Sequence, residues 1–412
     1  MKIVFALLGL AAISFESFSA EVPNVWDHPA AMSMGGAYTS VANDDSAFWT
    51  NPAGIVRTKK ARSKERVPLY RAPNITFGAN NKKVASNFSK LSSTSKRFEI
   101  ITDALNDSDG ERPVWVASGL EIMGVISQNP ANPVGIAFYN HTTSQMQVDS
   151  EDITGSIDGS TNVRSNILSD TAGLVNFAFA DKSNRASFAV QARYIASRFS
   201  LSTKTPLSQL TSKSGFEDNL KPKGSKTKGL AIDLGALYTY PDFWFPTVGL
   251  AIFNFPTGCL ENYLNPFNET RESVCGTVFK GDISADDPRA VDPTDIRLGF
   301  SITPRFSKTI STRLAVDIHN LSYAAGSKNY GLTDIPLDRM LHAGMEFFLG
   351  NPLAASPFRL KLGMNQTSLS LGGTMTLGSG MIIDIARYGK DIASGPTPRP
   401  DTRYLINLGF MF

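Results

Sequence analysis

Cysteine, histidine and long apolar runs are all scarce in this 412-residue chain, and each scarcity closes off a class of function. No stretch after residue 20 offers eighteen consecutive apolar residues, so no helix is expected to cross a hydrocarbon layer about 30 Å thick. The histidines His28, His141, His319 and His342 have no second histidine or cysteine at zinc spacing, so neither a metal site nor a cofactor is expected. Two cysteines are too few to ligate a metal alone. In an oxidising compartment Cys259 and Cys275 read instead as a disulfide that pins a long loop, worth about 3 kcal/mol in the chain-entropy picture. With no cysteine near residue 20 there is no acceptor for a lipid anchor. Charge of one sign is also missing: 40 basic residues face 37 acidic ones, for a formal charge of +3. The single basic run, Arg57, Lys59, Lys60, Arg62, Lys64 and Arg66, lacks interleaved aromatics and reads as a solvated connector, which opposes a nucleic-acid partner. Catalysis is equally poorly provided for. His319 and His342 fall near Asp317 and Glu346 without an identifiable serine, and Gly224-Ser225-Lys226-Thr227 lacks the glycine that precedes the lysine of a phosphate loop. The chain is therefore not expected to be an enzyme.

What the sequence does contain is an export address and a two-residue rhythm. Lys2, an apolar stretch from Ile3 to Phe15 and the small-residue exit Ser17-Phe18-Ser19 form a signal peptide over 1–19, for Sec-type export. At the other end Tyr404, Ile406, Leu408, Phe410 and Phe412 alternate with Arg403, Leu405, Asn407, Gly409 and Met411, giving one greasy face and one mixed face. The same alternation puts Leu298 and Phe300 opposite Arg297, and Leu314 and Val316 opposite Arg313 and Asp317. A basic residue facing lipid at midplane costs about 2–4 kcal/mol, so the charged face must look onto a polar interior. The pattern predicts an all-β fold: a transmembrane antiparallel β-barrel of about 14 strands, near 68–78, 113–125, 133–147, 168–182, 185–203, 226–240, 244–255, 293–304, 309–323, 337–350, 357–365, 367–378, 380–391 and 401–412. The aromatic terminus suits the barrel assembly machinery, and the barrel, at 67–412, belongs in the outer membrane among its lipids. A complete apolar belt needs no subunit neighbour, so a monomer suffices.

Connections alternate between short and long, as barrels with short periplasmic turns and longer outer loops require. The long ones occupy 79–112, 148–167, 204–225, 256–292, 324–336 and 392–400, and Asn365–Gln366 is an unexpectedly tight outer joint. Phe98, Ile101, Ala104 and Leu105 lie at helical spacing, which predicts a short amphipathic helix over the barrel mouth. Asn140-His141-Thr142-Thr143 is polar enough to interrupt strand pairing. The inward charges Arg193, Asp233, Arg297, Arg313, Asp317, Glu346, Arg359, Asp384 and Arg403 mix both signs, as salt-bridge networks do. Arg403 and Asn407, on the inner face of the last strand, are expected to touch whatever fills the interior.

Residues 20–66 do not alternate, and they are too long for a simple lead-in. They contain Met34-Gly35-Gly36-Ala37-Tyr38, Ala42-Asn43-Asp44-Asp45-Ser46-Ala47 and Asn51-Pro52-Ala53-Gly54-Ile55. This resembles the N-terminal hatch of the FadL-like long-chain fatty acid transporter family, over roughly 30–55, and related openings occur in PorV-like and TraF-like barrels. The resemblance implies passive uptake of a hydrophobic small-molecule ligand, with the hatch as gate. Physically, Gly35 and Gly36 allow close backbone approach and positive φ, Asp44 and Asp45 cap the next turn, and Asn51-Pro52 makes a rigid corner. Carried over to Asn51, Pro52, Ala53 and Gly54, the resemblance implies a corner that seals a channel and shifts when ligand arrives. Phe48, Trp49 and Ile55 read either as core packing or as a greasy track, and Arg193 or Arg403 as a partner for a ligand carboxylate. A secretion-associated barrel holding a protein partner, with a plug that never opens, is the competing reading.

Overall fold

The computed structural model describes residues 25–58, 69–87, 94–106, 113–126, 132–148, 160–211, 214–215, 224–242, 244–264, 271–282, 290–304, 310–322, 335, 337–349, 358–377, 380–392 and 400–411. The expected signal peptide and most of the basic run lie outside them. The strands are β1 (Leu69–Ala79), β2 (Val114–Ile126), β3 (Val134–Val148), β4 (Asn162–Ala180), β5 (Ala186–Pro206), β6 (Ser225–Thr239), β7 (Thr247–Phe253), β8 (Gly258–Leu264) and β9 (Arg271–Val278). They continue with β10 (Lys280–Asp282), β11 (Val291–Pro293), β12 (Asp295–Ile302), β13 (Ile310–Ile318), β14 (Leu341–Leu349), β15 (Phe358–Asn365), β16 (Ser368–Leu377), β17 (Met381–Asp391) and β18 (Pro400–Met411).

Among the described residues, β1 to β7 and β12 to β18 form one closed antiparallel wall of fourteen strands. It is sealed where β18 meets β1, from Arg71 opposite Met411 to Ala79 opposite Tyr404. All fourteen expected strands are present. The differences are local: residues 337–340 form a helical turn rather than strand, β4 begins at Asn162, and the 256–292 loop carries β8 to β11. Ser225, Lys226 and Thr227 lie in β6, so they form strand and not a phosphate loop.

Alternation explains the two surfaces. Ile122, Phe138, Phe188, Leu230, Phe300 and Ile406 are exposed on the outside, while the residues between them are buried. Tyr70, Phe179, Tyr238, Tyr240, Trp244 and Phe410 form an exposed aromatic girdle at the end with the short turns, as lipid-facing bands of such barrels require. The long loops lie at the opposite end of the wall. The tight outer joint is a two-residue turn with Gln366 and Thr367 both at positive φ, the conformation that matches strand twist. It is tied to β17 by Asn365 donating to the Gly389 carbonyl.

Two expectations are corrected here. The polar stretch Asn140–Thr143 does not interrupt the wall, because its side chains are tolerated while its backbone pairs continuously with both β2 and β4. The predicted helix forms over Thr94–Asn106, and Ile101, Ala104 and Leu105 are buried, but it does not cap the mouth. It packs with Ala79, Val114, Val148, Val163 and Leu201. Ala79 shares the face of exposed Phe77, and Val148 that of exposed Phe138, so the helix covers the outer surface of the strand ends on the long-loop side. The side chain of Phe98 lies outside the described residues.

Candidate functional site

The interior is occupied by residues 25–58, nearly all of them buried. This segment contains short helices at Pro29–Met32, Ala47–Thr50 and Ile55–Thr58 and a 3-10 turn at Pro52–Gly54. The Asn51 corner is capped by its own side chain, which accepts from the Ala53 amide at 3.1 Å. The same side chain donates to the carbonyls of Thr39 at 2.8 Å, Ala236 at 3.1 Å and Leu250 at 3.3 Å, so one amide holds the segment to itself, to β6 and to β7. Asn176 donates to the Pro52 carbonyl and Gln191 to that of Phe48. Asp44 caps the next turn by accepting from the Ser46 amide, as expected, and also accepts from the Tyr38 hydroxyl. Asp45 does not cap. It is paired with Arg71 of β1 and lies 3.4 Å from His28.

Glycines in the wall make room for this backbone, and they are the functional residues that sequence reasoning missed. A Cβ at Gly249 would lie 2.5 Å from the Thr39 carbonyl oxygen, one at Gly344 2.4 Å from that of Met34, and one at Gly235 2.4 Å from Asn51 Oδ1. Gly119 and Gly135 stand in the same way against Trp26 and Phe48. The available signal was their position: each interrupts an alternating strand at an inward site. Gly35 and Gly36, at φ of 67° and 82°, do take the left-handed conformation, and the Gly35 carbonyl meets His342 Nδ1 at 2.8 Å.

The two halves of the wall differ in chemistry. From β2 to β6 the buried inner face includes Trp115, Met123, Val125, Tyr139, Leu174, Ile195 and Leu237. Against it stand Trp26, Phe48 and Trp49 of the segment. Trp26 stacks on His141 at 3.7 Å and Trp49 meets Tyr139 edge-on at 5.0 Å. Among the described residues, neither buried indole N–H has a hydrogen-bond partner. The polar groups on this side are compensated locally, as in His141 with Glu121 at 2.7 Å and Arg193 with Asp233 at 2.6 Å.

From β12 to β18 the inner face is ionic. Glu346 gathers Arg313 at 3.0 Å, Arg359 at 3.7 Å and Lys361 at 3.8 Å, and Arg359 reaches on to Asp44. Lys361 also donates to the Ala30 carbonyl, and Asp317 accepts from the Thr39 amide at 2.6 Å. His319 and His342 stack at 3.9 Å. Tyr388 and Lys390 both hold Asp27. Arg403 sits on Asp401 and over Trp115, and Asn407 donates to Thr76, so the contacts described for these two run to the wall. Arg193, with both its forks on Asp233 and Asn254, is likewise occupied. Cys259 and Cys275 are joined across β8 and β9. Arg57 donates to the Ser40 carbonyl and the Thr239 hydroxyl.

No protein-family model and no curated protein matches the chain. Among solved structures, the ΔS2S3 mutant of the monoaromatic hydrocarbon channel TodX aligns with a TM-score of 0.50 at 10% identity, over 93% of this chain and 98% of that one. The Pseudomonas putida toluene transporter TodX aligns at 0.46 and 11%, over 96% and 99%. A Pseudomonas aeruginosa FadL homologue aligns at 0.38 and 10%, over 96% and 99%. At such identity the first of these likenesses speaks for the fold alone: the chain is a closed fourteen-stranded antiparallel barrel with the fold of that TodX channel mutant.

Proposed function

We propose that this protein is an outer-membrane channel for passive uptake of hydrophobic small molecules, with residues 20–66 as a hatch. One observation carries the reading. The interior divides into an apolar, aromatic half at β2 to β6 and an ionic half at β12 to β18 that anchors the segment's backbone. A greasy ligand moves along the first half, past Trp26, Phe48 and Trp49, where the segment is held by rings and neutral amides, while the second half holds it through charges. Aromatic faces suit such a ligand because they offer large contact area at low entropic cost. The fold shared with a hydrocarbon channel supports the reading, as does the resemblance of residues 30–55 to the FadL-like opening. Long-chain fatty acids and small aromatic hydrocarbons are both within its range.

Displacement of the Asn51–Gly54 corner is the opening step. It requires the amide of Asn51 to leave the carbonyls of β6 and β7, which are then left without that donor until water replaces it. The dense attachment of the segment around the wall favours a second reading, a structural or secretion-associated barrel with a fixed plug. Uptake of labelled toluene and oleate by cells with and without the protein separates them. Uptake falling on deletion, and altered by Asn51→Gly in a barrel that still shows heat-modifiable migration, supports the channel. Equal uptake in both strains refutes it.

A further inference from the structure

Most charges of the interior sit in ion pairs, whereas three lysines on the outer surface do not. Lys226 and Lys228 of β6 and Lys280 of β10 are exposed, and no carboxylate among the described residues forms an ion pair with any of them. Lys228 stands directly opposite Lys280 in the β6–β10 ladder, while Asp282 stands opposite Lys226 without closing an ion pair. Like charges directly opposite one another on a sheet destabilise it unless something of opposite sign lies over both.

Their height on the barrel identifies what that is. Lys228 and Lys226 continue the outward face of β6 beyond exposed Leu230, which is itself opposite exposed Tyr194. From Tyr238 in the aromatic girdle to Lys228 the strand runs ten residues, about 34 Å at the usual rise. At a tilt of about 40° this is roughly 26 Å of height, against an apolar band of about 25 Å. The lysines therefore sit where the lipid belt ends, level with the headgroups of the outer leaflet.

The placement of Lys280 is built into the loop. β10 fills the edge of β6 above the short strand β7, and Gly281 approaches so closely that a Cβ there would lie 2.3 Å from the Lys226 carbonyl oxygen. The preceding Phe279 is buried against Gly229 under the guanidinium of Arg198, 3.7 Å away. Arg198 in turn is fixed between Asp170 and Asp292 at 2.7 Å each. With Phe279 held inward, Lys280 points outward.

We infer that Lys226, Lys228 and Lys280 form a binding site for the phosphate groups of a phosphorylated glycolipid in the outer leaflet. The inference rests on the membrane-spanning fold and not on the channel reading. Native mass spectrometry of the full folded chain in detergent tests it, with diphosphorylated lipid A, the same lipid stripped of its phosphates, and inorganic phosphate as competitor. Wild type is expected to retain the diphosphorylated lipid about tenfold better than the stripped one, given that each basic residue near an anionic surface contributes severalfold. The triple variant K226Q/K228Q/K280Q should lose that preference and still show heat-modifiable migration, because removing the lysines relieves repulsion. A control triple at other exposed lysines, K83Q/K182Q/K204Q, should keep it. Retention unchanged in the first triple overturns the site, and full displacement by inorganic phosphate overturns the lipid assignment. As a second readout, K228Q should raise the melting midpoint without lipid A and lose the rise that lipid A gives the wild type; no such change also counts against the site.

Discussion

The two halves of the interior solve the same problem by different means. Around β13 to β15 the wall touches the segment through charges and backbone groups: Glu346 with its three cations, Lys361 on Ala30 and Asp317 on Thr39. Around β2 to β6 it does so through rings and small residues, with Trp26 on His141, Trp49 on Tyr139 and Phe48 over Gly135, and through neutral amides, with Asn176 on Pro52 and Gln191 on Phe48. Ionic contacts between buried partners are directional and costly to leave half-made, whereas aromatic packing can be re-formed around a different apolar surface. On the proposed function, the ionic side is the fixed one and the aromatic side the one that admits a guest.

The largest test of that contrast is Glu346→Leu. It strips the common partner from Arg313, Arg359 and Lys361 and is expected to cost about 3–5 kcal/mol, read as a drop in the unfolding midpoint. On the apolar side Glu121→Gln removes a carboxylate whose described partners are His141 and Asn74, so a smaller loss of about 1.5–3 kcal/mol is expected. An equal or reversed order would break the comparison. Next comes Gly344→Val, whose Cβ must displace the Met34 carbonyl. Overpacking of about 1–3 kcal/mol should loosen the segment and expose it to protease. Gly135→Ala meets side chains, the Phe48 ring edge and Asn176, rather than backbone, and should loosen it less. Asn51→Ala removes a donor to three carbonyls and should cost about 1–3 kcal/mol, with cleavage near the corner in limited proteolysis. The smallest effect on folding is expected from Trp49→Phe. It deletes an indole N–H that bonds to nothing among the described residues, at a cost below about 1.5 kcal/mol, while the relative uptake of toluene and oleate should shift.

The wall was readable because a barrel strand writes its environment into alternate residues. Arg313 and Asp317 against Leu314 and Val316 reveal two faces without any knowledge of neighbours. The mini-sheet of β8, β9 and β11 was not readable. Its strands are short, and what holds them is distant in sequence: Arg198 across to Asp292, and Asn254 donating to the Pro293 carbonyl. Within the site, the Asn51 corner and the Asp44 cap carry local signatures and were visible. The glycines that receive the segment were not, since Gly249 or Gly344 has meaning only once Thr39 or Met34 lies against it. Arg403 was placed inward correctly by alternation, and the partners described for it, Asp401 and Trp115, belong to the wall.

The central claim is that hydrophobic ligands travel along the β2–β6 side of the interior. Photolabelling of the folded protein with a photoactivatable fatty acid and a photoactivatable monoaromatic probe, with adducts mapped by mass spectrometry, tests it most directly. Adducts on Trp26, Trp49 and Tyr139, and none on the inner face of β13 to β15, are predicted. Adducts confined to the lipid-facing belt, or spread evenly over both halves of the interior, would contradict it.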